Sequence, residues 1–312
     1  MTAGLLSAVQ LAVEQPRLLL LDRFYSGAGW AEVLLLTLYS GFLAKKFCDP
    51  QQARIWRPRI WRIFSVVFFA QLIIGLCGVD HFLMTGNLHL PIPAMIAAGP
   101  LYRGSGFFMP ILFLSTIILV GPAWCSHLCY IGAWDDLAAR ARKRPQAPWR
   151  WQTAVRISLL LLVVAAAILL RMLGATPGLA ASIAIAFGLG GVAVMLLLTR
   201  RVGVMVHCTI YCPIGLLANL LGKISLFRLR IGSKCNDCGI CTRHCRYAAL
   251  SKEDISRRRP AISCTLCGDC IASCKSAQIE YGLLRFSSAT ARAVFIVMIV
   301  SLHAVFLGVA RL

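Results

Sequence analysis

Residues 235–245 read CNDCGICTRHC, and residues 264–274 read CTLCGDCIASC. Each is C-x2-C-x2-C-x3-C, and the two stand in tandem. An iron–sulfur cubane needs four thiolates at tetrahedral corners. This run supplies them to [4Fe–4S] clusters, with the fourth cysteine of each run crossing to the other cluster. On that pattern Cys235, Cys238, Cys241 and Cys274 form one set. Cys264, Cys267, Cys270 and Cys245 form the other. Gly239 and Gly268 occupy matching places, where the backbone must bend close to a cluster. Four thiolates also suit structural zinc, but a tandem repeat of this spacing favours clusters. The proline usual after the fourth cysteine is missing. Arg246 and Lys275 stand there instead, either as cations beside an anionic cluster or as plain solvated charge.

A second cysteine pattern lies upstream. Residues 124–132 read WCSHLCYIG and residues 207–215 read HCTIYCPIG, sharing C-x3-C-x-I-G. Cys125 pairs with Cys208 and Cys129 with Cys212. An i, i+4 spacing places each pair on one face of a helical turn. Three readings of these four thiols stand open. They can hold a third metal centre (a cluster, copper or zinc). They can form a redox-active dithiol. They can also be packing residues, since a free cysteine behaves as a small hydrophobe. His127 and His207 flank the pairs as candidate extra ligands. Cys48 and Cys77 have no partner spacing and read as packing.

What must position these residues is a membrane scaffold. The chain has 312 residues, 59% hydrophobic and only 14% charged, against roughly a quarter charged in soluble domains. The apolar residues come in blocks. A spanning helix needs about 20 of them, and six segments qualify or nearly so: 28–44, 64–84, 106–123, 157–174, 179–199 and 292–310. The GATPG turn between the fourth and fifth suits a helical hairpin, which returns the second C-x3-C pair to the face of the first. Residues 3–13 read as an interfacial helix stopped by Glu14-Gln15-Pro16, without the basic start and cleavage site of a signal peptide.

The net charge of +20 reads as positive-inside loops rather than nucleic-acid binding. Lysine and arginine crowd into 45–62, 140–156 and 200–291. Only Arg17, Arg23, Arg103, Arg171 and Arg311 fall clearly on the other side. The three basic stretches, both C-x3-C pairs and both cysteine runs are thus expected on the cytoplasmic face of a bacterial inner membrane, with both chain ends outside. Oxygen-sensitive clusters belong on that reducing side.

The cysteine patterns on this scaffold resemble the membrane ferredoxin-type proteins NapH and MauN, and more loosely the membrane regions of NosR and CcoG. The residues that carry the likeness are CSHLCYIG, CTIYCPIG and the two runs, over roughly 106–280. That family has a proline after each C-x3-C. Pro213 keeps it, whereas Tyr130 stands in its place in the first pair. The expected architecture is an all-α polytopic membrane protein of about six transmembrane helices. It carries an inserted small α+β two-cluster ferredoxin-like domain on the cytoplasmic side. Domains are expected at 1–27 (interfacial segment), 28–222 (five spans and both C-x3-C pairs), 223–286 (ferredoxin-like) and 287–312 (last span).

The resemblance implies one-electron transfer between the quinone pool or a membrane partner and a redox partner protein, through two [4Fe–4S] clusters. The alternatives are a cluster-dependent copper reductase and a maturation factor for a redox enzyme. Membrane lipid, quinone and a redox protein are the expected partners. A quinol site needs a proton-accepting group, and ionisable groups in spans are candidates. Glu32, Asp80 and His81 are the candidate quinol-site residues, with His89 following in the outer loop and His303 in the last span.

Overall fold

Asp49-Pro50 sets the first corner of the chain. The Asp49 carboxylate accepts the Gln51 N–H at 2.9 Å, and Pro50 takes the first helical position, where a missing N–H costs nothing. The helix Gly29–Cys48 therefore ends there and Pro50–Leu76 begins directly. The basic stretch 45–62, expected as a loop, is helical almost throughout for this reason.

The computed structural model describes residues 1–13, 17–82, 90–146, 149 and 151–309, the side chain of Asp80 excepted. The expectations placed on Glu14-Gln15-Pro16, on His89 and on the Asp80 carboxylate fall outside these residues. Among the described residues five helices are long and apolar enough to cross a membrane: Pro50–Leu76, Phe108–Leu128, Gln152–Met172, Pro177–Val202 and Ser288–Val309. The expected count was six. The first expected span forms Gly29–Cys48, but Glu32 in its first turn and Lys45 and Lys46 in its last leave it short of that measure. The chain is a mostly helical, multi-pass membrane-type protein with one small sheet.

Contacts divide it into two units, residues 1–89 with 292–312, and residues 90–291. In the first, Thr2–Ala12 buries Leu6 with Leu19 and Val33. The Thr2 hydroxyl donates to Ser301 Oγ at 2.8 Å. Gly308 lets Ser288–Val309 approach Gly29–Cys48 closely, since a Cβ there would stand 2.6 Å from Leu36 Cδ1.

The second unit holds every C-x3-C and run cysteine. Phe108–Leu128 enters it, and Gln152–Met172 and Pro177–Val202 form the expected hairpin. The hairpin turn is closed by Gly174 at φ +62° and by Thr176, whose hydroxyl caps the Leu179 N–H. After Pro213–Leu221 comes a two-stranded antiparallel sheet, Phe227–Ile231 against Ile279–Leu283, with Phe227 opposite Leu283 and Ile231 opposite Ile279. Phe227, Leu229 and Ile231 face inward, and Arg228 and Arg230 face out. Alternation of period two gives one buried face. Both cysteine runs lie between these strands, so the sheet clasps the small α+β module at its base.

Candidate metal centres

The two cysteine runs fold as copies. Gly239 and Gly268 have φ of +68° and +80°, Asp237 and Leu266 +52° and +55°, and Ala248 and Ala277 +50° and +51°. Each run thus bends at two matching left-handed positions and enters a short helix, Ile240–His244 or Asp269–Ser273, and the third matching position follows just beyond its last cysteine. Non-glycine residues rarely adopt this region, so something must hold them. Tyr281, from the second strand, donates its hydroxyl to the Leu266 carbonyl at 2.9 Å. In the other copy Arg258 pairs with Asp237 and donates to the Cys235 carbonyl at 3.0 Å.

The cysteines group across the runs. Cys245, from the first run, lines one cavity with Cys264, Cys267 and Cys270 from the second. Leu229, Ala249 and Leu250 are among the apolar residues that line it. Cys241 lies within electrostatic reach of Cys235 and Cys274. Backbone N–H groups point at the fourth cysteine of each run: Ala249 at Cys245 Sγ (3.2 Å) and Gln278 at Cys274 Sγ (3.4 Å). Such bonds to sulfur tune cluster potentials. Burial pushes the Cys245 and Cys264 thiols up to about 12. Empty, they would stay protonated, so cluster assembly must release their protons. A pocket ringed by four thiols and apolar side chains has the donor set of a [4Fe–4S] cubane.

The sets differ in exposure. Cys238 is exposed and Cys235 and Cys274 are partly so, whereas Cys245 and Cys270 are buried. Only Cys241 of the first set is buried, while Cys264 and Cys267 of the second are partly so, which makes the first the outer and more exposed set and the second the inner one.

At the membrane end the same copying recurs by other means. In each copy the helical turn widens to a π-turn, with the N–H of the second cysteine reaching back five residues. Cys129 N–H donates to the Trp124 carbonyl at 3.0 Å, and Cys212 N–H to His207 at 2.7 Å. Each second cysteine then caps a new helix, Tyr130–Ala139 or Pro213–Leu221, with φ, ψ of −75°, 115° and −77°, 117°. Tyr130 and Pro213 both occupy the first helical position, where any residue that tolerates helical φ will serve. The missing family proline leaves the geometry unchanged.

Cys125, Cys129, Cys208 and Cys212 are brought together, each within electrostatic reach of others in the set. Burial pushes Cys212 up to about 12. The Gly215 and Ile214 N–H groups at the helix start pull the other way, as Gly132 and Ile131 do for Cys129. Gly215 is obligatory, because a Cβ there would stand 2.5 Å from the Cys208 carbonyl oxygen. Asp135 is fully buried. It accepts from Cys208 N–H at 2.9 Å and from the Thr199 hydroxyl at 2.8 Å. Burial still raises its carboxyl to about 6. Among the described residues no three His, Cys, Asp or Glu converge to hold a single metal ion. Thiolates around one zinc, bonded at 2.3 Å, stand about 3.8 Å apart, while those of a cubane stand apart across its core.

Direct bonds tie the membrane end to the cysteine-run module, at the second run and at the residues just after the first. Ser126 Oγ donates to the Thr265 carbonyl at 2.8 Å, and Tyr247 OH to the Cys125 carbonyl at 3.1 Å. Arg140 bridges Asp136 (2.6 Å) and Asp269 (3.5 Å). Arg246 donates to the Gly203 and Ala139 carbonyls at 2.9 and 3.2 Å. It is a fastener between module and loops, whereas Lys275, its counterpart, is exposed.

Other expectations fare differently. His127 is buried, with Nδ1 beside Ser126 Oγ (2.9 Å), and His207 packs on Tyr211. Burial lowers His207 to about 4. Cys48 and Cys77, expected as packing residues, are exposed because each falls at a helix end. Glu32 is buried and its carboxylate accepts the Leu21 N–H at 2.9 Å. His81 stacks on Phe24 at 5.3 Å and its carbonyl accepts from Arg23. Both thus contact the short helix Leu20–Phe24. His303 meets the Tyr39 hydroxyl at 3.2 Å.

Sequence reasoning missed Arg156, which it counted as loop charge. Arg156 is 3% exposed on Gln152–Met172, with Nε and Nη2 unpartnered. Its place at the start of an apolar span was the available signal.

A family model described as 4Fe-4S binding domain matches residues 102–148 and 182–234. The matched residues contain all four C-x3-C cysteines and stop one residue short of Cys235. Neither the curated proteins nor the solved structures give a match.

Proposed function

We propose that this is a membrane electron-transfer protein of the NapH/MauN type, with two [4Fe–4S] clusters in its ferredoxin-like module. Cys235, Cys238, Cys241 and Cys274 hold one cluster; Cys264, Cys267, Cys270 and Cys245 hold the other. The observation that carries this reading is the cavity in which Cys245 joins the three cysteines of the other run. Bound there, the clusters supply one-electron oxidation and reduction. The chain does the rest. Cys245 and Cys270 bury the inner set against the membrane end, and the Ala249 and Gln278 N–H groups aim at thiolate sulfur. The exposed loop at Cys238 opens the outer set to a redox partner protein.

The positive-inside distribution supports a cytoplasmic module in an inner membrane. Quinol is the proposed membrane-side reductant. Buried Glu32, held by Leu21 N–H, is the candidate proton acceptor, with Asp80 and His81 as neighbours in the same expectation. The test is iron and acid-labile sulfide analysis of the anaerobic protein, then an EPR titration with a quinol and with Cu(II). Quinol should reduce both clusters. Cluster oxidation by Cu(II), with no reduction by quinol, would replace this reading with the copper reductase.

A further inference from the structure

We infer that Cys125, Cys129, Cys208 and Cys212 hold a third [4Fe–4S] cluster, with Arg156 as its buried counter-cation. This rests on the iron–sulfur reading above and adds a site to it.

Charge comes first. A guanidinium that is 3% exposed and lacks partners at Nε and Nη2 is costly inside a protein unless an opposite charge faces it. The groups facing Arg156 are Cys125, Cys208 and Cys212. Protonated thiols or disulfides are neutral and would leave it uncompensated. Thiolates bound to a cluster carry net negative charge, and Arg156 then meets what it lacks. Asp135 does not fill the role, because its oxygens are already engaged by Cys208 N–H and the Thr199 hydroxyl.

Geometry narrows the cargo. Among the described residues no three such ligands converge on a single ion, so a lone copper or zinc is not favoured here. The helices Tyr130–Ala139 and Pro213–Leu221 aim their first N–H groups at Cys129 and Cys212, and a helix N-terminus favours a thiolate. π-turns are rare and gather at functional sites; of the three among the described residues, two carry the first cysteine of a pair and the third, Met195–Thr199, ends on the hydroxyl that donates to Asp135. The matched 4Fe-4S binding domain covers these residues.

The site is also wired. Ser126 follows Cys125 and Thr265 follows Cys264, and a 2.8 Å hydrogen bond joins them. Tyr247, which lines the inner cavity, bonds the Cys125 carbonyl. A centre at the membrane end would therefore adjoin the inner ferredoxin site, giving the order membrane centre, inner cluster, outer cluster.

The test uses the full chain, purified anaerobically in detergent. Iron analysis should give about twelve irons per chain rather than about eight. Cys208→Ser should lose about four of them and keep both ferredoxin EPR signals. Arg156→Met should shift one EPR component to a more negative midpoint, because a lost cation destabilises the reduced, more anionic state, and Arg156→Lys should restore it. A merely structural arginine would move no potential. About eight irons with Cys208→Ser unchanged, or one copper or zinc beside eight irons, would overturn the third cluster and leave the ferredoxin reading standing. Fewer than about eight in the unaltered chain would strike that reading instead. If Arg156→Met does not fold, unchanged iron in Cys208→Ser by itself overturns the inference.

Discussion

The ferredoxin-like module and the membrane end both present cysteines in duplicate, yet they place them in opposite ways. In the module the ligand-bearing backbone turns at Asp237, Gly239 and Ala248, and again at Leu266, Gly268 and Ala277, all at positive φ. No residue of 124–132 or 207–215 has a positive φ. There the thiols ride on helix ends, each set by a π-turn and a capped helix. The module wraps its site with local loops, whereas the membrane end brings together helices 83 residues apart in sequence. Local loops depend on what they wrap. Helix ends are held by packing, and are expected to outlast loss of their cargo.

The largest test of this contrast is Cys245→Ser. Although Cys245 lies in the first run, it should cost the inner cluster, and about four irons, while the solvent-facing cluster and its EPR signal persist. Limited proteolysis should then cut the module and spare the helices around Cys125 and Cys208. Loss of the outer signal instead would mean that each run serves its own cluster, and the likeness between cavity and cubane would fall.

This contrast also sets what the sequence disclosed. The runs were legible because their ligands, glycines and order are all local. The crossing of Cys245 was legible because the pattern is stereochemical. The C-x3-C repeat was found, but not its geometry. A π-turn leaves no mark in spacing, and spacing does not show that Tyr130 and Pro213 both stand at a first helical position. Arg156 was misjudged because charge near a span end counts as loop charge until packing shows which way it faces. The basic stretch 45–62 was misjudged because a run of arginines hid a capped helix start at Asp49-Pro50.

Two glycines sharpen the comparison at intermediate size. Gly215→Ala drives a Cβ against the Cys208 carbonyl oxygen, 2.5 Å away, a backbone atom rather than the far end of a flexible side chain. Overpacking of this kind costs about 3 kcal/mol, and thermal unfolding in detergent should show it as a large drop in midpoint. Gly239→Ala meets nothing within 4 Å, but must hold φ at +68°. That costs about 1 kcal/mol. The order of the two effects is the point. Equal losses would mean that the membrane end is as pliable as the loops.

The smallest expected effect is the most discriminating for the membrane end. Pro213→Ala removes the proline that follows the second C-x3-C pair, where Tyr130 follows the first. If proline were needed to shape the site, Tyr130 should already have spoiled the first copy, yet the capping angles of Cys129 and Cys212 agree to 2°. At the first helical position proline contributes mainly by restricting the unfolded chain, worth about 0.4–1 kcal/mol. Pro213→Ala should therefore lower the unfolding midpoint slightly and leave the iron content and every EPR midpoint unchanged. A loss of iron would show that the two copies are unequal, with the C-x3-C-P half carrying the site and the Tyr130 half leaning on it.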